Sequence, residues 1–115
     1  MKNKDNVNRN MVIGSRIRFF RQLRGLTQTD LAKKAGYTSS GTFSLIERGI
    51  SGMSNQKIEE TARFLDVHPY ILTADNKLTN SELLLLDRLS KIIQRATPNL
   101  EEIKKLIDHD FNLTP

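Results

Sequence analysis

Cysteine is absent from the 115-residue chain, which rules out disulfides, thiolate zinc sites and cysteine nucleophiles. The only histidines, His68 and His109, lie too far apart in sequence to form a local metal cluster. Long apolar runs are missing as well. The longest, Leu83-Leu84-Leu85-Leu86, falls far short of a membrane span or a signal-peptide core. No stretch alternates polar and apolar residues, and neither Asn-Gly nor Asp-Gly occurs, so β-hairpins have no signature. A Gly-x-Gly-x-x-Gly loop, a phosphate loop, a His-Glu-x-x-His helix and a Ser/His/Asp set are all lacking, which argues against an enzyme. These absences leave a soluble cytoplasmic protein as the expectation, with no membrane, metal or cofactor.

Charge is plentiful and unevenly placed. Residues 1–74 hold twelve basic and six acidic side chains, a net +6, whereas residues 75–115 hold six and seven, a net −1. A basic front behind which the charge falls to near zero suggests a polyanion-binding unit joined to a protein-binding one. The length suits one domain with a short appendage.

The apolar period is helical throughout. Residues 1–10 are polar and are expected to form a flexible basic arm. Ile13, Ile17, Phe20 and Leu23 mark a first helix, stopped at Gly25. Thr27 caps a second from Gln28 to about Ala35, with Leu31 and Ala32 inward and Gly36 at its end. A third runs from Ser39 or Ser40 to Arg48, with Phe43 and Ile46 inward and Gly49 beyond. Ser54 caps a fourth with the stripe Ile58, Ala62 and Leu65, and a short fifth follows Pro69. Residues 75–79 read as a hinge, and two more helices are expected over about 80–95 and 98–109. The fold class is all-α.

Two short helices joined by a Gly-containing turn, with the small residues Ala32 and Ala35 at the crossing, describe a helix-turn-helix. The string Ile13-Gly14, Arg21, Gly25-Leu26-Thr27-Gln28, Leu31-Ala32, Gly36 and Ile46-Glu47-Arg48-Gly49 closely resembles the XRE family, the Cro- and lambda-repressor-like domains. The resemblance covers about residues 12–74, ending at Asp66-Val67-His68-Pro69-Tyr70-Ile71-Leu72. It implies a five-helix DNA-binding domain over 11–74, followed here by a helical hairpin over 80–111. The stretch from Gly36 to Gly41 is one residue longer than in many members, and the extra residue is expected in the turn.

The resemblance implies that the third helix enters the major groove of operator DNA, presenting Ser39, Ser40, Gly41, Thr42, Ser44 and Leu45. That surface is small and uncharged: hydroxyls for base edges, and a methyl for thymine. It also implies that Gln28 bonds a backbone phosphate and braces the recognition helix, and that Arg21 and Glu47 form a structural ion pair. Lys2, Lys4, Arg9, Arg16, Arg18, Lys33, Lys34, Arg48 and Lys57 remain as candidates for phosphate contact.

Leu83, Leu86, Leu89, Ile92 and Ile93, with Leu100, Ile103, Leu106 and Ile107, supply more apolar surface than one hairpin can bury. They are expected to form a homodimer contact. The function expected is a dimeric repressor. The alternative is an antitoxin-like regulator whose C-terminal helices bind a toxin or antagonist. The 41 residues after position 74 read as two helices, so release is expected from something that binds, a small antagonist protein, a peptide or a metabolite, and not from a self-cleaving domain.

Overall fold

Local signals start and stop almost every helix of the chain. The computed structural model describes residues 4–74 and 77–96, with side chains described from residue 8 to 74 and from 77 to 95. The elements are α1 (Lys4–Leu23), α2 (Gln28–Lys34), α3 (Ser40–Glu47), α4 (Asn55–Leu65), α5 (Pro69–Thr73) and α6 (Asn80–Ala96), and no strand occurs among the described residues. Thr27 opens α2 with a reciprocal capping box: its Oγ1 accepts from the Asp30 N–H at 3.0 Å, and its own N–H donates to Asp30 Oδ2 at 3.1 Å. Thr79 and Glu82 repeat the arrangement at the start of α6. Ser39 and Ser54 cap α3 and α4 through their hydroxyls, and Pro69 occupies the first turn of α5.

These caps make a testable contribution. The bonds from Thr27 hold the Asp30 carboxyl below its ordinary pKa of 3.8, and those from Thr79 hold Glu82 below 4.5. A carboxyl depressed in the folded state stabilises it fully above the unfolded pKa and loses that contribution as pH falls through the folded value. A variant combining Asp30→Asn and Glu82→Gln should therefore melt below the native protein at pH 7. The two melting curves should converge between about pH 5 and pH 2. A gap that persists at low pH would show that the caps do not act through their charge.

The core is built where five helices meet. Ile13, Ile17 and Phe20 of α1 face Leu31 of α2, Phe43 and Ile46 of α3, Ile58, Ala62 and Leu65 of α4, and Ile71 and Leu72 of α5. Gly14 lets α1 touch α3 backbone to backbone. A Cβ there would overlap the Ile46 carbonyl oxygen and stand 2.8 Å from that of Glu47. Gly14→Ala should cost about 1–3 kcal/mol, because the obstacle is backbone and not a flexible side chain. A urea midpoint equal to the native one would contradict the close approach.

Three expectations are corrected. The arm expected over residues 1–10 is helical from Lys4, because α1 lies along the loop that follows α3. Arg9 Nη2 donates to Asn55 Oδ1 at 3.5 Å, Asn10 abuts Gly52, and the Met11 backbone abuts Gly49. Within the expected hinge, Leu78 packs on the core and Thr79 caps α6. Leu83, expected at the dimer contact, is instead 1 % exposed within the core formed with α1 to α5, and Leu86 packs partly against it. The reason is helical phase: Leu83, Leu86 and Asp87 share the face of α6 turned toward α1, α4 and α5. The second hairpin helix, with Leu100, Ile103, Leu106 and Ile107, lies outside the described residues.

Candidate nucleic-acid interface

The turn between α2 and α3 follows from its sequence. Ala35 caps α2, Gly36 takes φ +81°, and the Tyr37 N–H returns to the Ala32 carbonyl at 2.8 Å. Ala32 and Ala35 are buried, so the two helices cross closely. Helix α3 opens at Ser40 with Ser39 as its cap.

Helix α3 divides cleanly into two faces. Phe43, Ile46 and Glu47 are buried, while Ser40, Gly41, Thr42 and Leu45 are exposed and Ser44 is half-buried. Ser39 is exposed too, but its Oγ accepts from the Gly41 and Thr42 N–H groups at 3.1 and 3.3 Å. Its oxygen therefore serves the helix start, leaving only the hydroxyl proton for an external acceptor.

Glu47 is the anchor of this helix. Its carboxylate is gripped by Arg21, Nε to Oε2 at 2.6 Å and Nη2 to Oε1 at 3.1 Å. The Glu47 side chain is only 1 % exposed, and Arg21 also donates from Nη1 to the Leu26 carbonyl at 2.8 Å. Gln28 completes the set by donating from Nε2 to Glu47 Oε1 at 2.9 Å. Gln28 is thus an internal brace, with one amide N–H left for an outside acceptor. The structural pairing of Arg21 and Glu47 is present, and Gln28 ties to the third helix as the resemblance implies, with Glu47 as the acceptor that the sequence did not single out.

Three of the candidate phosphate-binding cations are engaged internally, Arg9 with Asn55 as described above. Arg16 is buried and donates from Nη1 to the carbonyls of Ile71, at 3.2 Å, and Ala74, closing the end of α5. Lys57 Nζ donates to the Ala35 carbonyl at 2.7 Å, pairs with Glu60 at 3.3 Å and lies 5.3 Å from the Tyr37 ring centre. Burial pushes the Tyr37 phenol pKa up, with the Glu60 charge adding to it. Arg18, Lys33, Lys34 and Arg48 remain exposed.

On α6, Leu85, Leu89, Ile92 and Ile93 are between 44 and 57 % exposed. Their spacing of four, three and one places them on one stripe, opposite the face that carries Leu83. Asp87, not among the residues singled out in the sequence, is 2 % exposed. The available signal was an acid one helical turn after Leu83, on the inward face. No helix among the described residues is long and apolar enough to cross a membrane, and none of those residues forms a metal-binding group of three or more ligands.

Comparison with known proteins agrees with this architecture. A family model described as a helix-turn-helix domain matches residues 12–70. Among solved structures, a chain of a SinR protein/SinI protein complex superposes with a TM-score of 0.60 at 25 % identity, over 85 % of this chain and 93 % of that one. No curated protein matches the chain.

Proposed function

Because this chain belongs to the helix-turn-helix domain family, of the XRE-like kind, we propose that it is a cytoplasmic transcriptional repressor that reads operator DNA as a homodimer. The observation that carries this reading is the division of α3. One face is bolted to the core through Phe43, Ile46 and Glu47, and the other presents Ser40, Gly41, Thr42 and Leu45 without any internal role. A helix held this rigidly suits the major groove.

The chemistry of that face limits what it can read. Serine and threonine hydroxyls donate to or accept from several base edges, and the Thr42 and Leu45 methyls suit a thymine methyl. No arginine, asparagine or glutamine stands on α3, so bidentate contacts to guanine or adenine from this helix are excluded. Discrimination per half-site is accordingly modest and depends on duplex shape and on a second half-site. The remaining N–H of Gln28 and the exposed cations Arg18 and Arg48 are the proposed phosphate contacts.

The exposed α6 stripe is the proposed homodimer surface, carried by Leu89, Ile92 and Ile93 together with residues 98–111. A second reading rests on the same stripe. The similar chain was solved in a complex with SinI protein, which supports a partner protein that competes with the second copy here. A small antagonist, or a toxin in an antitoxin-like pair, would fit.

Footprinting on the DNA upstream of its own gene, followed by salt titration, tests the proposal. About three to five phosphate contacts per half-site imply a log–log salt slope of about −6 to −9 for the dimer. A slope near zero, or protection without two related half-sites, would sink it.

A further inference from the structure

We propose that Asp87 is a specificity-determining residue that latches α6 onto the DNA-binding fold and so fixes the distance between the two recognition helices of the homodimer. The inference rests on the dimer reading above and adds that half-site spacing is read as well as half-site sequence. Asp87 Oδ2 accepts from Arg24 Nη2 and from Lys91 Nζ, each at 3.2 Å. Arg24 in turn donates from Nε to the Leu65 carbonyl at 2.8 Å and from Nη2 to that of Asp66 at 3.2 Å. One guanidinium thereby ties the end of α1, the end of α4 and the middle of α6 together. Lys91 adds a second bridge to Asp66 Oδ2 at 3.1 Å.

A carboxylate this buried is tolerated only when paired, so the pairing and the docking of α6 stand or fall together. The apolar seat of Leu83, with Leu86 partly packed beside it, fixes the start of α6, and Asp87, one turn after Leu83, fixes its direction. From Asp87 onward a cleft of about 380 Å³ separates α6 from α4 and the turn into α5, so little besides the Lys91–Asp66 bridge would hold the angle if the latch opened. Asp87 Oδ1, buried with no hydrogen-bond partner among the described residues, makes the latch weaker than a fully satisfied one. The stripe that seats the second copy lies on the opposite face of the same helix. Its position relative to α3 is therefore set by the latch.

The absence of cysteine allows a direct measurement. Nitroxide labels at Lys34→Cys and Arg95→Cys, in labelled chains diluted with unlabelled protein, report the distance between α2 and the end of α6 within one chain. A narrow distribution is expected for the native sequence and a broad one after Asp87→Asn. In parallel, operators with base pairs inserted between half-sites should show a loss of at least about tenfold in affinity at about five inserted pairs, half a helical turn. Asp87→Asn should flatten that preference without altering affinity for an isolated half-site.

A broad native distribution, or a narrow one after Asp87→Asn, overturns the latch. A spacing preference that survives a broadened distribution overturns its role in specificity. Sedimentation showing a monomer on the operator removes the dimer reading, and the spacing role with it, while the label distances still decide the latch. Should Asp87→Asn fail to fold, Lys91→Met, which leaves Arg24 on Asp87, must give intermediate broadening for the inference to stand.

Discussion

Replacing Glu47 by alanine is expected to cost about 3–5 kcal/mol of folding stability, a large share of the 5–15 kcal/mol typical of a whole domain. The magnitude follows from what is left behind. Arg21, whose side chain is 11 % exposed, would keep its charge and lose both carboxylate contacts, and Gln28 Nε2 would lose its acceptor. At about 4–8 °C per kcal/mol for a domain of this size, melting should fall by well over 10 °C. Glu47→Gln, which preserves the shape and one acceptor, should lose less. The double replacement Arg21→Met with Glu47→Leu separates two accounts of the pair. If the charge is tolerated only because it is paired, removing both partners should recover most of the stability lost on removing one. Urea unfolding of the three variants decides this. Equal losses for Glu47→Ala and for the double replacement would show that the geometry, not the stranded charge, carries the cost. Operator binding should follow folding in every case, since Glu47 faces the core and not the groove.

The second large effect concerns assembly. Leu89→Glu combined with Ile92→Glu is expected to make the chain monomeric and to lower operator affinity by about 10²–10⁴, the usual gain from linking two sites. Both residues lie on the exposed stripe of α6, 45 and 57 % exposed, so the change should leave the melting temperature of the DNA-binding fold near its native value. Truncation after residue 77 is a poorer test, because it also removes Leu83 from the core and Asp87 from Arg24. Sedimentation and circular dichroism of the double variant read the two consequences separately. A dimer that survives both glutamates would move the contact elsewhere on the chain. A monomer that binds its operator as tightly as the native protein would show that one half-site suffices.

On the proposed reading, an antagonist would act on the same exposed stripe. A partner helix covering Leu89 and Ile92 would separate the two readers without touching α3. Competition between such a partner and operator DNA would then disappear in the double variant. Competition that persisted would place the partner on the DNA-reading face, across Gln28 to Leu45.

Much of this protein is written in short stretches of sequence. Gly25 ends α1, and Thr27 with Asp30, Gly36, Ser54 and Pro69 set limits of α2, α4 and α5, because capping, left-handed turns and first-turn proline are chemistry within a few residues. The two faces of α3 follow as readily, since a period of 3.6 sends Phe43 and Ile46 one way and Ser40, Thr42 and Leu45 another. Periodicity assigns a face, however, and not its neighbour. Tertiary structure alone decided that Arg16 closes α5, that Lys57 closes α2, and that the brace from Gln28 lands on the Glu47 carboxylate. It decided that α1 runs back to Lys4 along the loop after α3, where Arg9 and Asn10, polar side chains with no apolar reason to be ordered, meet Asn55 and Gly52. It divided the apolar surplus of α6 as well, burying Leu83 beside Asp87 and leaving Leu89, Ile92 and Ile93 outside. A leucine carries the same hydrophobic drive in either place. Which one it occupies depends on a guanidinium more than 60 residues away in sequence, the Arg24 that Asp87 needs if its charge is to be buried.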